Sequence, residues 1–274
     1  MRRLKQLALA AAVAALLAGS LSAQQRFRRG GFRGQLRMAT PQSFDGSFNF
    51  CRVMFRFHPY GHGGGWAVDY PRADENLSIR LSELTKTPVS HDASGEPNYV
   101  VLRLTDPELF RCPFIMMTEV GAAYFDDEEA AKLREYLLKG GFLWADDFWG
   151  SYAWSIWAGE LAKVLPSHEY PIVDLPPDHP VFRTLFVVNR LPQIPSINFW
   201  MGSGGGTSEQ GSDSAQPHAR GIADPHGRLM VLITHNTDFG DSWEREGDDP
   251  NYFHTFSLDG YAVGIDVLLY AMTH

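Results

Sequence analysis

The chain has 274 residues, 44% of them hydrophobic and 13% aromatic, with 24 Lys+Arg against 32 Asp+Glu and a formal net charge of −8. That composition excludes a disordered or low-complexity protein and leaves room for one large domain or two small ones around a sizeable core. Residues 1–40 carry eight bases and no acid, and removing those eight from the 24 leaves 16 bases against 32 acids in the remainder. A body this acidic repels a phosphate backbone, which argues against nucleic-acid binding.

In chain order, Arg2, Arg3 and Lys5 precede an apolar stretch at residues 7–18, and Ser20, Ser22 and Ala23 supply small residues after it. Residues 1–23 therefore read as a signal peptide cleaved after Ala23, with an uncleaved anchor as the alternative. The stretch is shorter than a membrane span, and no later segment is long and apolar enough to make one. The expected protein is exported, periplasmic or secreted, with no transmembrane span once mature. Residues 24–48 open as QQRFRRGGFRGQLR, Gly/Arg-rich and without periodicity, and read as a flexible basic linker. A single domain is expected over residues 49–274.

Residues 50–57 are rich in β-formers and give a first strand, followed by the Gly-rich loop HPYGHGGGWAVDYP. Asp74 is placed to cap a helix whose Leu77, Leu81 and Leu84 share one face. Residues 99–104 and 114–119 are further strands. Asp126-x-x-Glu129 resembles a capping box, and Glu128–Lys132 and Glu135–Lys139 have helical ion-pair spacing. Residues 141–148, GGFLWADDF, form a strand that ends in two aspartates. Ser151 is then expected to cap a helix with Trp154, Trp157, Leu161 and Leu165 inward. Residues 168–175 give a short strand broken by Pro171. The Gly/Ser-rich stretch 202–217 reads as a mobile excursion, residues 229–234 as a buried strand, and residues 261–272 as a closing helix. Alternating strands and helices specify a doubly wound, mostly parallel α/β sheet.

In such sheets ligands bind at the strand carboxyl ends. Four loops converge there, bringing Trp66 and Asp69, Glu119, Asp146 with Asp147, and His235, Asn236, Asp238 and Asp241. Adjacent residues leaving a strand point to opposite sides, so one of Asp146 and Asp147 faces the cleft and the other serves the following helix. A buried carboxylate requires a donor or a cation. Asp146, Asp147 and His235 are thus catalytic candidates, with a divalent metal as the implied cofactor. A hydrogen-bonded scaffold is the competing reading. Trp66, Trp149 and Trp243, with Phe148 and Tyr152, form an aromatic rim suited to a ligand. HGGG carries no lysine and is a weak phosphate signal. No G-x-S-x-G is present, and Cys51 and Cys112 both precede strands, so a nucleophile is missing. In an exported chain the two cysteines either form a disulfide at the amino edge of the sheet or pack as two buried thiols.

The segments DYPRADENLSIRLSELT, FDDEEAAKLREYLLKGGFLWADDFWG, DHPVF, ARGIADPHGRLMVLITHNTDFGDSWE and GYAVGIDVLLYAM together resemble the bacterial domain-of-unknown-function family numbered 4159 over about residues 50–273. That family is similar to the class I glutamine-amidotransferase-like superfamily, which implies a flavodoxin-like fold. Active members carry a cysteine at the sharp turn after a central strand. The matching turn here carries Asp146 and Asp147, which argues against glutaminase chemistry, and sugar-utilisation relatives likewise lack the cysteine. The resemblance implies a fold and no reaction; the absent nucleophile and the aromatic rim point to a domain that binds a small molecule, carbohydrate-related, or an envelope protein partner. The alternative is a metal-assisted hydrolase built on the carboxylate/His cluster.

Overall fold

The computed structural model describes residues 36–274. The expected signal peptide lies outside the described residues, as does the linker up to residue 35. Residues 36–48 are not linker: Met38 bridges to Val101, the Ala39 amide donates to the Val101 carbonyl at 2.8 Å, and Phe48 is buried. No helix of the described residues is long and apolar enough to cross a membrane.

Parallel strands β1 (Phe50–Val53), β3 (Tyr99–Leu102), β4 (Phe114–Thr118), β6 (Phe142–Asp146) and β9 (Leu229–His235) form the parallel part of a seven-stranded sheet, with β3 at one edge. The sheet continues antiparallel through β8 (His218–Ala223) and the two-residue β7 (Val173–Asp174), giving the order β3-β1-β4-β6-β9-β8-β7. β2 (Arg56–Phe57) and β5 (Ala123–Tyr124) pair separately. β1 is therefore shorter than the expected strand, and its continuation turns off to form β2. β8 escaped the sequence pattern because half of HARGIA is polar, as an antiparallel strand near a sheet edge permits.

The central strands are apolar on both faces because both are covered. Cys51, Val53, Ile115, Met117, Leu143, Ala145 and Ile233 face helices α2 (Asp127–Leu138) and α3 (Gly150–Val164). Phe50, Phe114, Met116, Trp144 and Leu232 face α1 (Arg72–Leu84) and α7 (Leu258–Thr273). The short helices α4 (Ile197–Gly202), α5 (Phe239–Glu244) and α6 (Pro250–Tyr252) lie in the connections. The α2 capping box forms in both directions, Glu129 N to Asp126 Oδ1 at 2.9 Å and Asp126 N to Glu129 Oε2 at 3.1 Å. Lys139 pairs with Glu135 at 2.6 Å, whereas Lys132 also takes Glu135, at 3.1 Å, and leaves Glu128.

Two caps differ from expectation. α1 begins after Pro71, and Asp74 turns inward to the buried Arg52. Trp149 precedes the first turn of α3, and the Ser151 amide donates to Asp213 Oδ2 at 2.7 Å. Asp213 belongs to the Gly/Ser-rich stretch 202–217, which is packed rather than loose. Within and beside it Gln193 donates to the Ser214 carbonyl at 2.7 Å, and the Ser196 amide donates to Glu209 at 2.6 Å. At the amino edge of the sheet Cys51 and Cys112 form a disulfide.

Candidate carboxylate site at the strand ends

Taken in chain order, the five parallel strands run 2-1-3-4-5 across the sheet. The order reverses between β1 and β4, where a doubly wound fold opens its ligand crevice. Four non-glycine residues at these strand ends adopt left-handed backbone: Asp69 (φ 62°), Glu119 (φ 53°), Asp147 (φ 54°) and Asn236 (φ 62°). Asp and Asn tolerate this conformation through their short polar side chains, but Glu gains no such relief. Strain of this kind, about 1–3 kcal/mol per residue, persists only where the surroundings enforce it and clusters at functional sites.

The two adjacent aspartates separate as alternation requires. Asp146 shares the face of Trp144. Its Oδ1 accepts from Thr234 Oγ1 at 2.5 Å and its Oδ2 from the Phe239 amide at 2.8 Å. It is a fully buried strut joining β6, β9 and the start of α5, and burial pushes its pKa up to about 7. Asp147, one residue on, swings in left-handed backbone toward Asp69 and Asp238. Each of the three offers an oxygen within 4.8 Å of the others, with residue exposures of 7%, 5% and 3% for Asp69, Asp147 and Asp238.

Hydrogen bonds leave this trio under-supplied. Asp147 accepts from Trp149 Nε1 at 3.1 Å, and Asp238 caps α5 by accepting from the Asp241 amide at 2.7 Å. Asp69 Oδ2 is buried and has no hydrogen-bond partner. It lies so close to Gly240 that a Cβ there would fall 2.2 Å away, so only glycine allows this approach. Burial drives all three carboxyls well above the usual range, and neighbouring acids push further: Glu119, Asp69 and Asp146 on Asp147, and Asp147, Asp69, Asp241 and Asp146 on Asp238. Arg52 opposes this at Asp69 alone.

Arg52 is a framework residue of the site that the sequence pattern does not flag. It is fully buried and chelates Asp74, with Nε at 3.1 and 3.0 Å from the two carboxylate oxygens. Its Nη1 donates to the Trp66 and Val68 carbonyls at 3.2 and 3.1 Å and to Thr118 Oγ1 at 2.9 Å. One guanidinium thus ties α1, the end of β4 and the loop that carries Asp69. The signal was a lone arginine in an otherwise apolar strand, FCRV, since buried charges are paired.

The Gly-rich loop spends its amides on the protein. The Gly64 amide donates to Glu119, and Gly65 N–H also faces that carboxylate. Burial holds Glu119 at about 7 despite these donors. A Cβ on Gly63 would overlap Glu119 Oε2, so HGGG is a carboxylate cradle and its amides are not free for phosphate.

His235 is not part of the trio. On β9, Thr234 faces the Asp146 side, so His235 faces the other. Its ring stacks on Phe148 at 4.7 Å, lies near Trp154 at 5.3 Å, and contacts the Gly150 carbonyl through Nε2 at 3.0 Å. Among the described residues, neither carboxylate cluster within metal-binding distance includes a histidine. The second of these clusters joins Asp69 to Asp241 and Glu244, and Arg245 neutralises it at 3.4 Å from Asp241 and 2.8 Å from Glu244. Asp241 also accepts from the Ile197 amide at 2.5 Å. Asn236 is a cap: its Oδ1 accepts from the Gly150 amide at 2.8 Å, and its Nδ2 donates to the Gln216 carbonyl at 2.8 Å.

The expected aromatic rim is largely core. Trp243 is fully buried against Trp144, with ring centroids 5.5 Å apart, which removes it from any ligand surface. Phe148 and Trp149 are buried, and half-buried Trp66 packs edge-on to Tyr70 at 5.9 Å. The exposed aromatics at this end are Phe57, Tyr60 and Tyr152, and Tyr152 donates to the Tyr60 carbonyl at 2.8 Å.

The family model for a domain of unknown function, DUF4159, matches residues 52–272. The chain belongs to this family. No curated protein matches it. The DUF4159 match spans every strand end described above, from Arg52 to the helices after β9.

Proposed function

We propose that this DUF4159 chain is an exported binding domain, amidotransferase-like in architecture, that takes a ligand or an envelope partner at the strand carboxyl ends without turning it over. One observation carries the reading. The turn after β6 holds the left-handed backbone that would present a nucleophile, but the residue there is Asp147, buried among other acids. Both cysteines of the chain are joined in a disulfide at the opposite edge, so thiol chemistry has no agent. His235, on the other face of the sheet, stands apart from the carboxylates with which a metal-assisted hydrolase would pair it. The exposed Phe57, Tyr60 and Tyr152 supply aromatic contact surface beside the site, a residue class enriched in binding interfaces.

The test pairs an ammonia-release assay on glutamine and a panel of ester and phosphate substrates with a thermal-shift screen of soluble envelope glycans and peptidoglycan fragments. The expected result is no turnover and a stabilising ligand whose effect is lost in Tyr152→Ala. Turnover abolished by Asp147→Asn would overturn the reading.

A further inference from the structure

We propose that Asp69, Asp147 and Asp238 hold a single hard divalent cation at the strand ends, with Ca²⁺ the best fit. The inference does not depend on the ligand-binding reading, because the crowding of the three carboxylates is the same whether or not anything docks above them.

Three observations converge. The first is geometric. Oxygens of the three carboxylates lie within 4.8 Å of one another. Ca²⁺ accepts six to eight oxygens in flexible geometry, whereas Mg²⁺ demands a near-ideal octahedron, so three carboxylates carried by separate loops favour Ca²⁺. All three ligands are oxygen, with no His or Cys in the group, which selects a hard ion over zinc or copper. The second is the orphaned atom. Asp69 is 7% exposed, and its Oδ2 has no partner although the side chain lies within the trio. A buried carboxylate short of partners is costly, and a cation held by the trio would offset that cost at Asp69.

The third is the contrast with the neighbouring cluster. Asp69, Asp241 and Glu244 also offer oxygens within 4.8 Å of one another, but Arg245 pairs with Asp241 and Glu244. Arg52, the other cation nearby, is committed to Asp74. No guanidinium or ammonium pairs with Asp147 or Asp238 among the described residues. The trio is therefore a carboxylate cluster at this edge that no side-chain cation of the described residues neutralises.

The ligands come from three separate connections, after β1, β6 and β9. A bound ion would therefore clamp the loops that define the crevice and leave its remaining coordination positions to water or to an oxygen-rich ligand.

The chelator-treated chain is titrated with CaCl₂, MgCl₂ and MnCl₂ by calorimetry, beside terbium emission excited through tryptophan. Trp149, whose Nε1 is 3.1 Å from the Asp147 carboxylate, is the natural sensitiser. The expected result is one site per chain, sensitised terbium emission displaced by Ca²⁺, and binding at least about tenfold weaker in Asp69→Asn and in Asp238→Asn. Glu244→Gln should bind unchanged. The terbium signal of the unmodified chain keeps the test decisive if a variant misfolds. No heat and no sensitised emission up to about 1 mM, the weak end for extracellular calcium modules, overturns the proposal. So does binding that survives both Asp→Asn changes. A chain that binds the ion but no ligand in the thermal-shift screen would instead count only against the binding-domain reading.

Discussion

Asp74 and Asp147 are both withdrawn from water, at 0% and 5% exposure, yet their surroundings are opposite. Asp74 meets Arg52 in a chelated pair whose spare guanidinium hydrogens go to two carbonyls and a threonine. Asp147 meets Asp69 and Asp238, and every charge that acts on it is negative. Desolvation weighs on both groups in the same direction, so the difference lies in neutralisation. The first group is complete within the chain and serves as framework. The second is incomplete within the chain, which marks it as a site. Buried acidity alone does not separate scaffold from function; the count of partners does.

The strongest way to break this contrast is to damage the complete pair. Asp74→Ala strands the Arg52 guanidinium in the interior and should cost about 3–5 kcal/mol, read as a large fall in the urea midpoint. A change below about 1 kcal/mol would mean that Arg52 finds water or another acid, and the framework role would fail. The amino edge offers a control remote from both groups. The Cys51–Cys112 bond closes a separation of 61 residues, and its reduction should cost about 4 kcal/mol on a chain-entropy account while leaving cation binding intact.

His235 sharpens the contrast from the other face of the sheet. Burial, reinforced by Arg220 and His218 and opposed by Asp213 and the Gly150 carbonyl, lowers its pKa from 6.5 to about 4. The native state therefore disfavours the proton that the unfolded chain accepts. Its contribution is fully present above about pH 6.5 and is lost as pH falls toward 4, up to about 3 kcal/mol. His235→Gln should flatten that acid limb in a pH series of urea titrations. An unchanged limb would show that His235 is solvated.

Much of the scaffold was legible in the sequence because it rests on periodicity. The apolar runs, the Asp126–Glu129 box and the strand–helix alternation each have a local pattern, and the doubly wound sheet follows from them. The convergence of loops at the strand ends is legible too, and it places Asp69, Asp147 and Asp238 at one end of the sheet, where the three lie together. What failed is what alternation and long-range pairing decide. The end of β9 places His235 beside the carboxylates in the sequence pattern, but one step along the strand sends it to the opposite face. Trp243 reads as part of a rim because aromatics near a site resemble a platform, although its position on α5 carries it into the core. Asp74 looked like a cap because its partner, Arg52, is 22 residues away. The role of HGGG was hidden for the same reason, since its amides serve Glu119, 55 residues beyond Gly64.

The most direct measurement is the thermal midpoint of the chain and of Asp147→Asn, each in chelator and in about 1 mM CaCl₂. Removing one of three crowded negative charges should stabilise the ion-free protein by about 1–2 kcal/mol, so the variant should melt above the parent in chelator. Calcium should then raise the parent by several degrees and leave the variant where it was. A variant that melts below the parent in chelator, with neither protein responding to calcium, would show that the trio is a self-sufficient hydrogen-bonded scaffold and would contradict the account.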